Sequence, residues 1–223
     1  MLLEQILKNT AFSHILKEEP SNFVSIDLSK TNSDLIKVDV TNSASFSEYI
    51  NQYLRTHKAQ VAIGGYNEHR NIYQRSTVFK NNETEERFIH LGVDLWTKAY
   101  TPIHAPLKGK VHSFKNNAGL GNYGPTIILE HQIKRQTFYT LYGHLTKDSI
   151  ENVVIGEKID KGEMFAAIGN YPTNGDYPPH LHFQIIKDMK GMQGDFPGVT
   201  SLKDQKRDLE NCPDPNLILK IEQ

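Results

Sequence analysis

Two histidines, His180 and His182, stand two residues apart in the stretch 178–185, Pro-Pro-His-Leu-His-Phe-Gln-Ile. Successive side chains of a β-strand point to opposite faces. A strand here sets His180, His182 and Gln184 on one face and Leu181, Phe183 and Ile185 on the other. Imidazole is both a zinc ligand and an acid or base near neutral pH, so the first face suits a metal or a proton-transfer site. Taken alone, the pattern fits equally well two histidines at a wet sheet edge. Two further stretches weigh against that: His90-Leu91-Gly92-Val93-Asp94 and Leu141-Tyr142-Gly143-His144-Leu145. Together the three supply four histidines and a carboxylate among strand-forming residues. A catalytic zinc takes three protein ligands and keeps one position open. His90, Asp94 and one histidine of the 180/182 pair would fill those three, leaving two histidines for acid–base or electrostatic work.

His90 and Asp94 are four apart. On a helix that spacing brings Cβ atoms within about 5–6 Å. On a flat strand, rising about 3.3 Å per residue, it leaves them roughly 13 Å apart, too far to share an ion. Spacing alone favours a helix. Composition opposes it, because Phe88, Ile89, Leu91, Val93, Leu95 and Trp96 are mostly strand formers and Gly92 is a poor helix residue. A strand bent at Gly92 reconciles the two, since glycine inside a strand marks a bulge or a close approach. The bend draws His90 and Asp94 toward one point, and the missing side chain leaves room for the ion between them.

The elements that must position these residues begin near residue 75. Short strands follow one another with Gly, Pro and Asn between them, at 86–96, 100–104, 109–114, 125–132, 136–144, 163–168 and 180–187. Their spacing predicts an antiparallel sheet or sandwich. Ahead of it, Leu2, Leu3, Ile6, Leu7, Phe12, Ile15 and Leu16 recur at helical spacing. One or two short amphipathic helices are expected, ended by Pro20. Residues 23–27, 35–40 and 60–63 read as strands. Ser45-Phe46-Ser47-Glu48 has the capping-box pattern, with Phe46, Tyr49, Ile50, Tyr53 and Leu54 forming a helical stripe. The expected fold is α+β, mostly β: a small α/β appendage at 1–74, a β-rich catalytic domain at 75–190, and a loop and tail at 191–223, with 191–198 exposed. Within the polar stretch 66–73, Arg70 and Tyr73 are candidates for a substrate-binding lip, Arg70 gripping a carboxylate in a two-pronged hydrogen bond. His104, His112 and His131 fall in or beside strands and read as structural; His14, His57 and His69 read as surface residues.

The 223 residues carry a net charge of −1, so neither nucleic acid nor an anionic membrane is an expected partner. No run approaches the ~20 apolar residues of a transmembrane helix. Cys212 is the single cysteine, which excludes an intrachain disulfide; it reads as a small buried side chain. The opening residues lack the basic start of a secretory signal. The expectation is the cytoplasm, or the cell envelope had a leader been removed.

With these motifs assembled, the chain resembles the lysostaphin-type zinc metallopeptidases, a family of peptidoglycan endopeptidases. Their pattern is His-x-Gly-x-Asp, a central histidine, then His-x-His. It is matched by His90-Leu91-Gly92-Val93-Asp94, by His144 after Tyr142-Gly143, and by His180-Leu181-His182. Thr101 to Pro106, Gly109-Lys110-Val111 and Ala166 to Gly169 fit the segments between, so the resemblance covers about residues 86–190. It implies one zinc ion on His90, Asp94 and His182, with His144 and His180 beside the open position. It also implies a groove on an antiparallel sheet and hydrolysis of a peptide bond in a peptide or peptidoglycan-fragment substrate. Tyr100 departs from the pattern, standing where the family usually has glycine before Thr-Pro. Two other functions are compatible with the motif. One is a non-catalytic relative that binds a wall fragment or a partner protein, although such a module has no need of all five positions. The other is a zinc amidase or D-alanyl carboxypeptidase.

Overall fold

The computed structural model describes residues 2–70, 80–81 and 85–221. Its strands, in chain order, are β1 (Phe23–Ile26), β2 (Val61–Gly64), β3 (Lys80–Asn81), β4 (Glu85–Glu86), β5 (Ile89–His90), β6 (Val93–Trp96), β7 (Pro102–His104), β8 (Gly109–Asn117), β9 (Gly124–Ile133), β10 (Gln136–Gly143), β11 (Lys158–Ile159), β12 (Met164–Ala167), β13 (His180–Ile186) and β14 (Val199–Thr200). The helices are short except one: α1 (Leu3–Lys8), α2 (Ser43–His57), α3 (Asp148–Glu151), α4 (Gln205–Asn211) and α5 (Asn216–Leu219). Eight strands form the main sheet in the order β1-β2-β6-β13-β10-β9-β8-β11. β1 and β2 are parallel, and every other neighbouring pair is antiparallel. Two-stranded ribbons pair β7 with β12, β5 with β14 and β3 with β4. The fold is α+β and mostly β.

Strand alternation decides which face does what. Leu181, Phe183 and Ile185 of β13 pack into the main core with Val93, Leu95, Ile127, Leu129 and Tyr142. His180, His182 and Gln184 point the other way and are also buried. That second face is covered by a cluster including Leu91, Leu141, Ile186, Met189, Phe196 and Cys212. Phe196 therefore corrects the expectation of an exposed loop at 191–198. Burying a side chain of this size contributes roughly 1.5–3 kcal/mol, enough to pull the loop back over the sheet. Gly194 fastens it further: its N–H donates to Ser113 Oγ (2.8 Å), and its carbonyl accepts from Asn117 Nδ2 (2.8 Å). Gly191, Met192 and Gln193 remain exposed.

The N-terminal region shares this sheet. β2 lies between β1 and β6, and α2 packs Phe46 and Ile50 against Ala62 and Trp96. Three local expectations are corrected. The alternating stretch at 35–40 is not a strand: Ser33–Lys37 is a 3-10 helix, capped by Asn32, whose side chain accepts from the Asp34 N–H (2.9 Å). Helix α2 begins at Ser43 rather than after Ser45, because Asn42 is its cap and accepts from the Ser45 N–H (3.0 Å). The helical spacing beyond Lys8 is not realised either. Ser13 donates its N–H to the Pro106 carbonyl, and Ile15 accepts from the His104 N–H, so this backbone is taken by the 104–106 segment while Ile15 and Leu16 still enter the core. Among the described residues, no helix is long and apolar enough to cross a membrane. Cys212 is buried, and burial pushes its thiol up to about 12.

Candidate metal centre

The strand that carries His90 ends there, the chain bends through Leu91 and Gly92, and β6 resumes at Val93. This is the bend expected from the His-x-Gly-x-Asp spacing, and it brings His90 Nε2 to 3.3 Å from Asp94 Oδ1. Register supplies the rest. Asp94 of β6 stands opposite His182 of β13, and His182 stands opposite Gly143 of β10, the residue before His144. His182 Nδ1 lies 3.2 Å from Asp94 Oδ1 and 3.0 Å from His90 Nε2. Among the described residues, these three form the one group arranged to hold a metal ion.

The dimensions and the proton inventory both fit a zinc site. Ligand bonds of ~2.0–2.1 Å in tetrahedral geometry separate the donor atoms by about 3.3 Å, close to the three edges found. The His90 Nδ1–H is taken by the Gly65 carbonyl (3.0 Å), which leaves Nε2 as a lone pair. The Nε2–H of His182 donates to Gln184 Oε1 (2.9 Å), which leaves Nδ1 as a lone pair. The Gln184 amide is oriented by its own donations to the Pro197 carbonyl (3.1 Å) and to Cys212 Sγ (3.2 Å). Two lone pairs and a carboxylate oxygen thus face one another at short range. That arrangement calls for a cation between them. Burial and the neighbouring Arg70 push His90 down to about 4, so it is neutral at neutral pH. Burial alone would raise the Asp94 carboxyl, but the Arg70 guanidinium beside it holds it well below its ordinary range.

His180 and His144 complete the cluster. His180 Nε2 is 4.0 Å from Asp94 Oδ1, and its ring stacks on Trp96 at 3.9 Å. The His144 ring lies 4.1 Å from that of His180. Each donates Nδ1–H to a backbone carbonyl, His180 to Pro178 (2.8 Å) and His144 to Asn174 (2.7 Å), so each keeps a lone pair on Nε2. Burial pushes His180 down to about 4 and holds His144 well below its ordinary range. None of the five side chains is more than 5% exposed. They open onto a cavity of about 380 Å³ whose wall includes Arg87, Tyr123, Tyr177 and Phe196.

Two expectations change. Gly92 does not make room for the ion; a Cβ there would lie 2.6 Å from His182 Cε1 and Nε2, so the glycine makes room for the His182 ring. Arg70 is not at a substrate lip. It is fully buried, with Nη1 donating to Asp94 Oδ2 and Nε to Glu68 Oε2, and it is not part of the cavity wall. The other lip candidate, Tyr73, lies outside the described residues. Sequence reasoning also missed Glu68, the support given by Gln184, and Tyr123, whose hydroxyl is 3.4 Å from His182 Nε2. Only Gln184 carried a signal, since it alternates with His180 and His182. His131 is buried between the Lys108 carbonyl (3.0 Å) and Thr140 Oγ1 (2.7 Å), away from the cluster.

The model of Peptidase family M23 matches residues 88–194. No curated protein matches the chain. Similar solved structures include a Pseudomonas aeruginosa protein assigned to peptidase M23, at 25% identity over 60% of this chain and 45% of that one, with a TM-score of 0.40. A zinc-containing peptidase from Vibrio cholerae is 27% identical over 48% of this chain and 29% of that one, with a TM-score of 0.38. The antimicrobial peptidase lysostaphin from Staphylococcus simulans is 26% identical over 53% of this chain and 45% of that one, with a TM-score of 0.35. The chain spans under half the length of each of these three relatives.

Proposed function

Since residues 88–194 belong to peptidase family M23, we propose that the chain is a zinc-dependent peptidase that cuts an amide bond within a peptidoglycan-type peptide. The observation that carries this is the convergence of His90 Nε2, His182 Nδ1 and Asp94 Oδ1 at 3.0–3.3 Å, with the opposite nitrogen of each imidazole already engaged. His90, Asp94 and His182 hold the ion. Zinc held there supplies Lewis acidity and activates water at neutral pH. His144 and His180 do the proton work. Each is neutral with Nδ1–H tied to a carbonyl, so each can accept a proton only at Nε2. Once protonated there, it can donate to a developing oxyanion or to the leaving amine. Trp96 keeps the His180 ring in place for this by stacking on its face.

The test has two parts. Zinc titration of the metal-free protein is expected to saturate at one ion per chain. The zinc-loaded protein is then incubated with a panel of D-amino-acid and glycine peptides and the products are weighed; internal cleavage supports an endopeptidase. Release of a single C-terminal residue makes it a carboxypeptidase instead. Stoichiometric zinc with every peptide intact makes it a binding protein and refutes the hydrolase.

A further inference from the structure

The supports of His90 and Asp94 come from outside the segment matched by the family. Gly65, Glu68 and Arg70 precede residue 88, yet they touch two of the three ligands. We propose that Arg70, braced by Glu68, is a positioning residue that sets the affinity and geometry of the metal centre; this rests on reading the cluster as a zinc site.

Arg70 Nη1 donates to Asp94 Oδ2, the oxygen turned away from the histidines. With Oδ2 engaged, Asp94 presents Oδ1 to His90, His182 and His180 at 3.3, 3.2 and 4.0 Å. Glu68 Oε2 accepts from Arg70 Nε, and Glu68 Oε1 accepts from the Leu28 N–H (3.1 Å). The carboxylate ligand is therefore tied through two side chains to the backbone just beyond β1. The register explains how this reaches so far: Gly64 stands opposite Asp94, and a Cβ on Gly64 would lie 2.9 Å from Arg70 Nη2. The guanidinium needs that bare backbone to lie against the strand. The next residue, Gly65, accepts the Nδ1–H of His90, so one short segment aims both an imidazole and a carboxylate.

Charge decides the sign of the effect. A lone guanidinium beside a dication would repel it. Glu68 offsets that charge, so what remains at the ligand is orientation. A buried ion pair is also a weak source of stability compared with apolar packing, and the contact by which the Arg70 side chain reaches a candidate ligand is the one to Asp94.

Two variants of the full chain test this, Arg70→Lys and Glu68→Gln. Zinc affinity is measured by competition with a chromophoric chelator, the visible absorption of the cobalt-substituted protein reports ligand geometry, and thermal unfolding is followed in chelator. Arg70→Lys keeps the charge but loses the planar fork. It is expected to weaken zinc binding by about 10–100-fold and to alter the cobalt spectrum, as loss of a partner that orients a ligand does. Glu68→Gln frees the guanidinium and is expected to weaken binding by about tenfold or more. A folded Arg70→Lys protein with native zinc affinity and an unchanged cobalt spectrum overturns the proposal, even if its melting temperature falls, because the role is then only structural. Should Arg70→Lys not fold, native affinity in Glu68→Gln overturns it equally. A native protein that binds no zinc removes the peptidase reading itself, whereas native binding with unaffected variants removes only the role of Arg70.

Discussion

Replacing Gly92 with alanine is expected to disable the metal centre while sparing most of the fold. The added Cβ would sit 2.6 Å from two atoms of the His182 ring and 2.8 Å from the Phe183 carbonyl oxygen. Ordinary contact begins at 3.4 Å, so the ring must retreat by about 0.8 Å or the bend must open. The ring has little freedom, because its Nε2–H is held by Gln184 at 2.9 Å. Metal–ligand distances tolerate only about ±0.2 Å. Either way of relieving the clash therefore spreads a donor triangle whose edges are now 3.0–3.3 Å. Zinc binding is expected to weaken by at least the ~10–100-fold seen when a ligand is merely disoriented. Overpacking of this kind costs about 1–3 kcal/mol. For a chain of this size that lowers the melting temperature by about 2–12 °C, read in chelator so that lost zinc does not contribute. The assay pairs zinc competition with thermal unfolding of the metal-free protein. Native zinc affinity together with a native melting temperature would refute the argument that His182 occupies the space Gly92 leaves.

His144→Ala is expected to retain zinc while turnover falls by roughly 10²–10⁴; parallel loss of zinc, measured on the same preparation, would make His144 a ligand. Gln184→Leu removes the acceptor of the His182 Nε2–H and should weaken zinc by about 10–100-fold, with chelator competition as the readout. The metal-free protein should lose stability as pH falls from about 6.5 to about 4, because His90, His131 and His180 are pushed down to about 4 when folded. In that window the unfolded chain takes up protons that the folded one does not, and each such histidine adds a slope of about 1.4 kcal/mol per pH unit. Urea unfolding in chelator across this range measures it, and a flat profile would count against burial of these rings as neutral groups.

The candidate cluster was legible in part because much of its information is local; which histidine of the 180/182 pair joins His90 and Asp94 came only from the family resemblance. Alternation alone puts His180, His182 and Gln184 on one face, and a glycine between His90 and Asp94 is enough to call for a bend. The supports were not legible, because they depend on which strand lies next to β6. Nothing in residues 64–70 announces that Gly64 pairs with Asp94, and without that pairing an arginine in a polar stretch looks like a surface residue. The alternating stretch at 35–40 failed for a related reason: alternation makes a strand only beside a partner, and here the Asn32 cap offers the backbone a local alternative. The glycines and proline of 191–198 suggest exposure, but the same stretch holds Phe196, whose burial outweighs its loop-like neighbours.

The depth of the five reactive side chains restricts what can reach them. They lie buried at the cavity whose wall includes Tyr123, Tyr177 and Phe196. On the peptidase reading proposed above, a substrate would have to reach these side chains as an extended segment, so its shape would be read before its side groups.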